Sequence, residues 1–351
     1  MRALRFSAAA LATIAVVSIA VAVVSSQGQK LRPERGSAGA PEFSARTPWG
    51  HPDLQGIWDF RTVTPMERPV ELGDKAVLTA KEAEEFEHRA VASRDADQKR
   101  SNTVTARRQV NGTTETEDLS LAYNDFWWDR GTKVVGTRRT SLIVDPPSGR
   151  FPPLTEAGEK RLAAEDAVRE RLSVGPEDRP VGERCILGFN SGPPMTPNAY
   201  NMNVQLLQTS DYVVVLNEMV HNARIVPLDG RPHGNIRQWV GDARGRWDGN
   251  TLVVETTNFY QSTSLRGSSS NMRLTERFTR VSADMLLYEF TVNDETTWTK
   301  AWTAQIPMRK TDVPMYEYAC HEGNYGMTGI LSGARALEKT GEHTARSKSL
   351  R

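Results

Sequence analysis

The sequence carries no excess of either charge: 44 Lys and Arg stand against 43 Asp and Glu in 351 residues. That balance excludes a general nucleic-acid-binding surface, so no nucleic-acid partner is expected. After residue 24 no apolar run is long enough to cross a membrane. No cysteine stands directly after the first apolar run, so a lipoprotein anchor is not indicated. There is no P-loop, no Gly-rich dinucleotide turn after a strand and no G-x-S-x-G elbow. No cofactor is therefore implied. His51, His221, His233 and His321 are too scattered to show metal-ligand spacing, and no metal site is assigned. Cysteine is scarce, with only Cys185 and Cys320. In an oxidising compartment an even pair implies a disulfide. The competing reading is a reactive thiol within Ala319-Cys320-His321-Glu322.

What is present begins with a targeting segment. Arg2 and Arg5 form a basic start, residues 7–24 an apolar run, and Val24-Ser25-Ser26 a small-residue cleavage site. Residues 1–26 read as a signal peptide, which predicts a periplasmic or secreted protein. Membrane contact is expected only through an uncleaved signal. Residues 27–47 are small and polar, a flexible leader. Residues 48–338 read as a single β-rich domain, and residues 339–351 as a disordered tail. With 38% hydrophobic residues there is material for a full core.

The chain is organised around residues 204–260. Three runs rich in Val, Ile, Tyr and Thr, at 212–226, 236–242 and 251–260, are separated by turn residues. Further strands are read at 57–61, 140–144, 273–281, 285–292 and 298–306. Such spacing predicts consecutive antiparallel strands. The expected fold is mainly β: an antiparallel β-barrel or strongly curved sheet, lipocalin-like in general shape, with helical insertions. The helices are placed near 78–101, where Thr79 and Glu82 form a capping box, and at 156–172, with Thr155 as N-cap. Trp49 and Trp58 are expected in the core. Residues 102–119 read as a polar loop, with a glycosylation acceptor pattern at Asn111. Residues 242–246 read as a charged, solvent-exposed turn. The aromatic, Gly-rich segment 316–334 is expected to return across the sheet, stapled by Cys320.

Alternation along strands selects the candidate site residues. Glu276 lies between Leu274 and Phe278 at the same parity, so it faces the core. A carboxylate there pairs with a cation such as Arg224 or Arg273, or serves as an acid or base. Glu218 and His221 form an E-x-x-H pair, with Glu218 the inward member by parity with Val214 and Leu216. The candidate catalytic set is Glu276, His221, Glu218 and His321. The candidate ligand-binding set is Trp127 and Trp128 from an aromatic cluster, with Asn258 and Tyr288.

The chain resembles a family of exported bacterial proteins. The resemblance rests on residues 49–58 (WGHPDLQGIW), 227–233 (PLDGRPH), 245–254 (GRWDGNTLVV) and 320–325 (CHEGNY). It covers most of the mature chain and implies export as a single unit, without implying an activity. The expected function is binding of a small apolar molecule. The first alternative is an acid/base enzyme, a lyase, isomerase or hydrolase, using Glu276 with His221 or His321. The second is a structural envelope protein without a ligand.

Overall fold

The structure, a computed structural model, describes residues 43, 45–93, 107–110, 113–116, 129–261 and 265–340. The signal segment, most of the leader, Asn111, Trp127, Trp128 and the tail beyond residue 340 lie outside the described residues. Among the described residues no helix is long and apolar enough to cross a membrane.

The chain is mainly β. In order, the strands are β1 (Gly56–Asp59), β2 (Arg107–Val110), β3 (Thr113–Thr116), β4 (Ile143–Asp145) and β5 (Asn203–Gln208). There follow β6 (Tyr212–Asn217), β7 (Ala223–Pro227), β8 (Asp242–Asp248) and β9 (Thr251–Thr257). The last three are β10 (Arg273–Arg280), β11 (Met285–Asn293) and β12 (Trp302–Thr311). Among the described residues three α-helices, α1 (Ala80–Ala92), α2 (Glu156–Glu170) and α3 (Tyr325–Thr340), accompany them. Ten strands form one sheet in the order β7-β6-β5-β1-β12-β11-β10-β9-β8, with β4 pairing beside β12. β2 and β3 form a separate hairpin where a polar loop was expected.

Every pairing along that path is antiparallel. The path holds nine strands. An odd number of alternating strands leaves both edges, β7 and β8, running the same way. The antiparallel ladder therefore cannot close on itself. The edges meet through side chains: a Cβ on Gly245 of β8 would stand 2.8 Å from Val226 Cγ1 and 2.7 Å from Leu228 Cδ2. The result is a strongly curved sheet, and the closed barrel is not formed.

Alternation puts one face of each strand inside the curl. β10 buries Leu274, Glu276 and Phe278, and β11 buries Leu286, Tyr288, Phe290 and Val292. Trp58, Trp302, Phe278 and Phe290 are among the largest fully buried side chains. Trp58 also donates its Nε1–H to Leu54 O at 2.9 Å. Trp49 is 37% exposed and is not a core residue.

The helix starts follow from their caps. Thr79 accepts from Glu82 N while the Glu82 carboxylate accepts from Thr79 N, the reciprocal capping box. Thr155 Oγ1 accepts from Gly158 N at 3.1 Å and starts α2. Gly158 lets α2 rest on the backbone at Thr297, where a Cβ would come within 2.5 Å of the carbonyl.

Three further expectations are corrected. Residues 236–241 form a loop, and the strand is β8, made of the residues read as a charged turn. β8 is an edge strand that buries Asp242, Ala243 and Gly245 and turns Arg246 to solvent, so its charges suit one wet face. The run 212–226 is two strands joined by a 3-10 turn at Met219–His221. The segment after Cys320 does not return as a strand: it forms α3, which includes two residues assigned to the tail.

Candidate functional site

A buried ionic network crosses the interior. Arg224 on β7 donates Nη1–H to Glu276 Oε2 at 2.6 Å and Nη2–H to Glu276 Oε1 at 2.9 Å. Tyr288 on β11 donates its hydroxyl to Glu276 Oε1 at 2.7 Å. Arg224 is 3% exposed, and Glu276 and Tyr288 are 0% exposed. Burial alone lowers the Arg224 pKa, but the Glu276 charge and its hydrogen bonds outweigh that, and the net shift is upward. Burial first, and the Glu276 charge second, push the Tyr288 phenol well above its ordinary value, so it stays a neutral donor. With Arg224 and Tyr288 bound, the Glu276 carboxylate is engaged on both oxygens.

A plug, the loop of residues 186–202, packs into this interior through the buried Met195 and Met202. Met195 N–H in the loop donates to Tyr288 Oη at 3.1 Å. Met195, Met202, Met219 and Met272 are all buried. Methionine is unbranched and polarizable, so such a lining repacks at low cost.

Several buried polar atoms without partners lie at the same end of β5, β6 and β7, and others lie elsewhere, at Trp247, Thr256 and Trp302. Asn217 follows Val213 and Val215 at the same parity on β6, is 1% exposed, and both its amide atoms lack a partner among the described residues. The Arg224 Nε, Asn203 Oδ1, Asn222 Nδ2 and Asn190 Oδ1 atoms are buried and unpartnered in the same sense. More than 90% of buried polar groups in folded proteins are paired, so such a concentration calls for an explanation.

The other candidates are placed as follows. Glu218 is buried and accepts from Asn203 Nδ2 at 2.9 Å and from Tyr316 N at 3.1 Å. His221 is exposed, in the turn after Glu218, with φ at 42°. His321 is exposed in the turn before α3. Neither histidine is brought to Glu276. Asn258 sits just past β9 in a left-handed conformation, φ 56°, and donates Nδ2–H to Gly234 O at 2.7 Å. It does not share the inner face of β9 with Leu252 and Val254 and instead ties down the 228–241 loop. Tyr288 is part of the ionic network. Cys185 and Cys320 form a disulfide, with Cα atoms 5.6 Å apart. A disulfide fits an extracellular or periplasmic compartment.

Sequence reasoning missed Asn217 and the plug. Sequence parity takes the Val214 and Leu216 face of β6 as inward, but β6 buries Val213, Val215 and Asn217, so Glu218 owes its burial to the turn after β6 and not to that parity. The lack of partners at Asn217 is a tertiary property. Also missed is an oriented imidazole: His233 Nδ1 stands 3.3 Å from Asp242 Oδ2, which also accepts from Gly234 N at 2.8 Å. Among the described residues no three or more His, Cys, Asp or Glu side chains are grouped to hold a metal. Compared with known protein families, with curated proteins and with solved structures, the chain matches none.

Proposed function

We propose that this is an exported, periplasmic or secreted, binding protein. It holds a small molecule, apolar in body with one polar group, inside the curved sheet beside the plug. Asn217 carries the reading. An unpaired buried amide costs about 1–3 kcal/mol. A ligand group that both donates and accepts there would remove that cost and add specificity. The Arg224 charge is already neutralised by Glu276, so the ligand's polar group is uncharged. The buried methionines supply an adaptable apolar wall, and movement of the plug supplies room. The N-terminal signal pattern and the disulfide support export.

The acid/base alternative is weaker, because the Glu276 oxygens are engaged and both histidines named for it lie on the surface. The ligand-free structural reading is favoured by one observation, the interior filled with Trp58, Trp302, Phe278 and Phe290.

Titration with Nile red, a neutral dye with an apolar body and a carbonyl acceptor, separates the two. The binding reading expects saturable one-site binding, weakened on the order of five- to tenfold in Asn217→Leu. The structural reading expects no saturable binding, with Asn217→Leu as stable as the wild type or more so.

A further inference from the structure

The plug is held weakly from within and firmly from outside. Among the described residues, the one hydrogen bond from residues 186–199 to a strand residue is Met195 to Tyr288. The other bonds of that segment stay inside the loop or at its base, such as Gly188 N–H to Ser191 Oγ at 3.1 Å and Asn190 Nδ2–H to Tyr200 O at 2.7 Å. Residues 316–324 lie across it as a strap. Its first residue, Tyr316, is anchored to the β6–β7 turn by donating N–H to Glu218 Oε1. Tyr318 meets Tyr200, at the far side of the plug, hydroxyl to hydroxyl at 3.4 Å. Asn324 donates Nδ2–H to Glu183 O at 2.9 Å. The covalent tie is Cys320 to Cys185, immediately before the plug. Gly188 is pressed so close to the Met219 side chain that a Cβ would fall 1.9 Å from its Cγ. The plug is therefore seated against the β6–β7 turn that also receives the strap.

We propose that the Cys185–Cys320 disulfide is a redox latch on the plug, controlling access to the interior at Tyr288, Glu276 and Arg224. The ligand side of this rests on the binding reading above, whereas the mechanical side does not. Cys320 is half-buried and Cys185 buried, so the Cys320 sulfur is the one attacked. The reductant is a dithiol of the thiol–disulfide oxidoreductase class. One of its thiolates bonds to the Cys320 sulfur, the Cys185–Cys320 bond breaks, and the Cys185 thiolate takes a proton. The second thiolate then closes the reductant's own disulfide and releases the Cys320 thiol. Two electrons and two protons pass to the protein. What remains on the plug is the Met195 bond, the bond from Phe60 N–H to Met202 O at its base (3.1 Å), the tyrosine contact and packing, so the loop above that base opens while the sheet stays folded.

Hydrogen exchange on the whole exported protein tests this, with and without dithiothreitol, with thiol alkylation to confirm reduction. A Cys185→Ser/Cys320→Ser variant provides the unlatched state without reductant. Exchange in peptides covering residues 186–202 should quicken on the order of tenfold on unlatching, with β10 and β11 peptides unchanged. Unchanged plug exchange overturns the proposal. So does equal quickening of plug and sheet, which marks a global staple, and so does a disulfide that resists dithiothreitol in the folded protein. Quickened plug exchange with no Nile red binding in either redox state leaves the latch standing and removes the binding reading.

Discussion

Glu276 and Arg224 face each other across the interior from strands that are not neighbours, joined by two hydrogen bonds of 2.6 and 2.9 Å. The sheet must curl for them to meet, so the pair reports the curvature. Removing one partner strands a buried charge. Glu276→Gln should lower stability by about 3–5 kcal/mol in denaturant melts. Replacing both, as Arg224→Met with Glu276→Leu, should be much milder than the sum of the single changes. Additive losses would show that the two residues do not interact.

Tyr288 predicts an alkaline limb. Its pKa is raised in the folded state, so its contribution is complete below pH ~10 and is lost as pH rises beyond that. Stability measured upward from pH ~10 should fall, with Tyr288 contributing a slope of ~1.4 kcal/mol per pH unit. Tyr288→Phe should fall less steeply by that one-proton slope. Parallel curves for the two proteins would contradict the placement of Tyr288.

Asp294 predicts an acid limb. Burial pulls its pKa up, but bonds from Thr296 Oγ1 (2.7 Å), Ser269 N (2.6 Å), Thr297 Oγ1 (2.7 Å) and Ser269 Oγ (2.9 Å) outweigh it, and the net shift is downward. A depressed carboxylate stabilises the fold above its unfolded value near ~4 and loses that contribution as pH falls through the folded value. Asp294→Asn should be less stable at neutral pH and show a shallower decline on acidification. An equally steep acid limb in the variant would assign that titration elsewhere.

Gly245 marks the seam between the sheet edges. Gly245→Ala should cost about 1–3 kcal/mol by overpacking against Val226 and Leu228. Gly136→Ala, where a Cβ meets nothing within 4 Å, is the control and should be near neutral. Equal melting temperatures for the two variants would mean the edges are not pressed together.

Much of this fold was legible in the sequence because local chemistry and tertiary demand agree. Thr79 with Glu82, and Thr155, start their helices by cap bonds made within four residues. Alternation in β10 put Glu276 inward, since Leu274 and Phe278 fix the face. Where local and tertiary signals part, the reading failed. β8 looks like a turn because an edge strand tolerates two arginines, and because Gly245 sits where the seam leaves no room for a side chain. The β6–β7 turn contains neither Gly nor Pro and instead places Val220 and His221 at positive φ, which propensity disfavours. The Gly326, Gly329 and Gly333 positions conceal α3, whose strap is held by the disulfide. The unpartnered amide of Asn217 depends on what packs around it, which no spacing in one chain encodes.

The most direct measurement of the central claim is the mass of the intact protein under native conditions. The account predicts a non-covalent small molecule at one per chain, released on denaturation and absent from Asn217→Leu. A native mass equal to that of the polypeptide alone, identical in behaviour for the variant and with no Nile red binding, would contradict it.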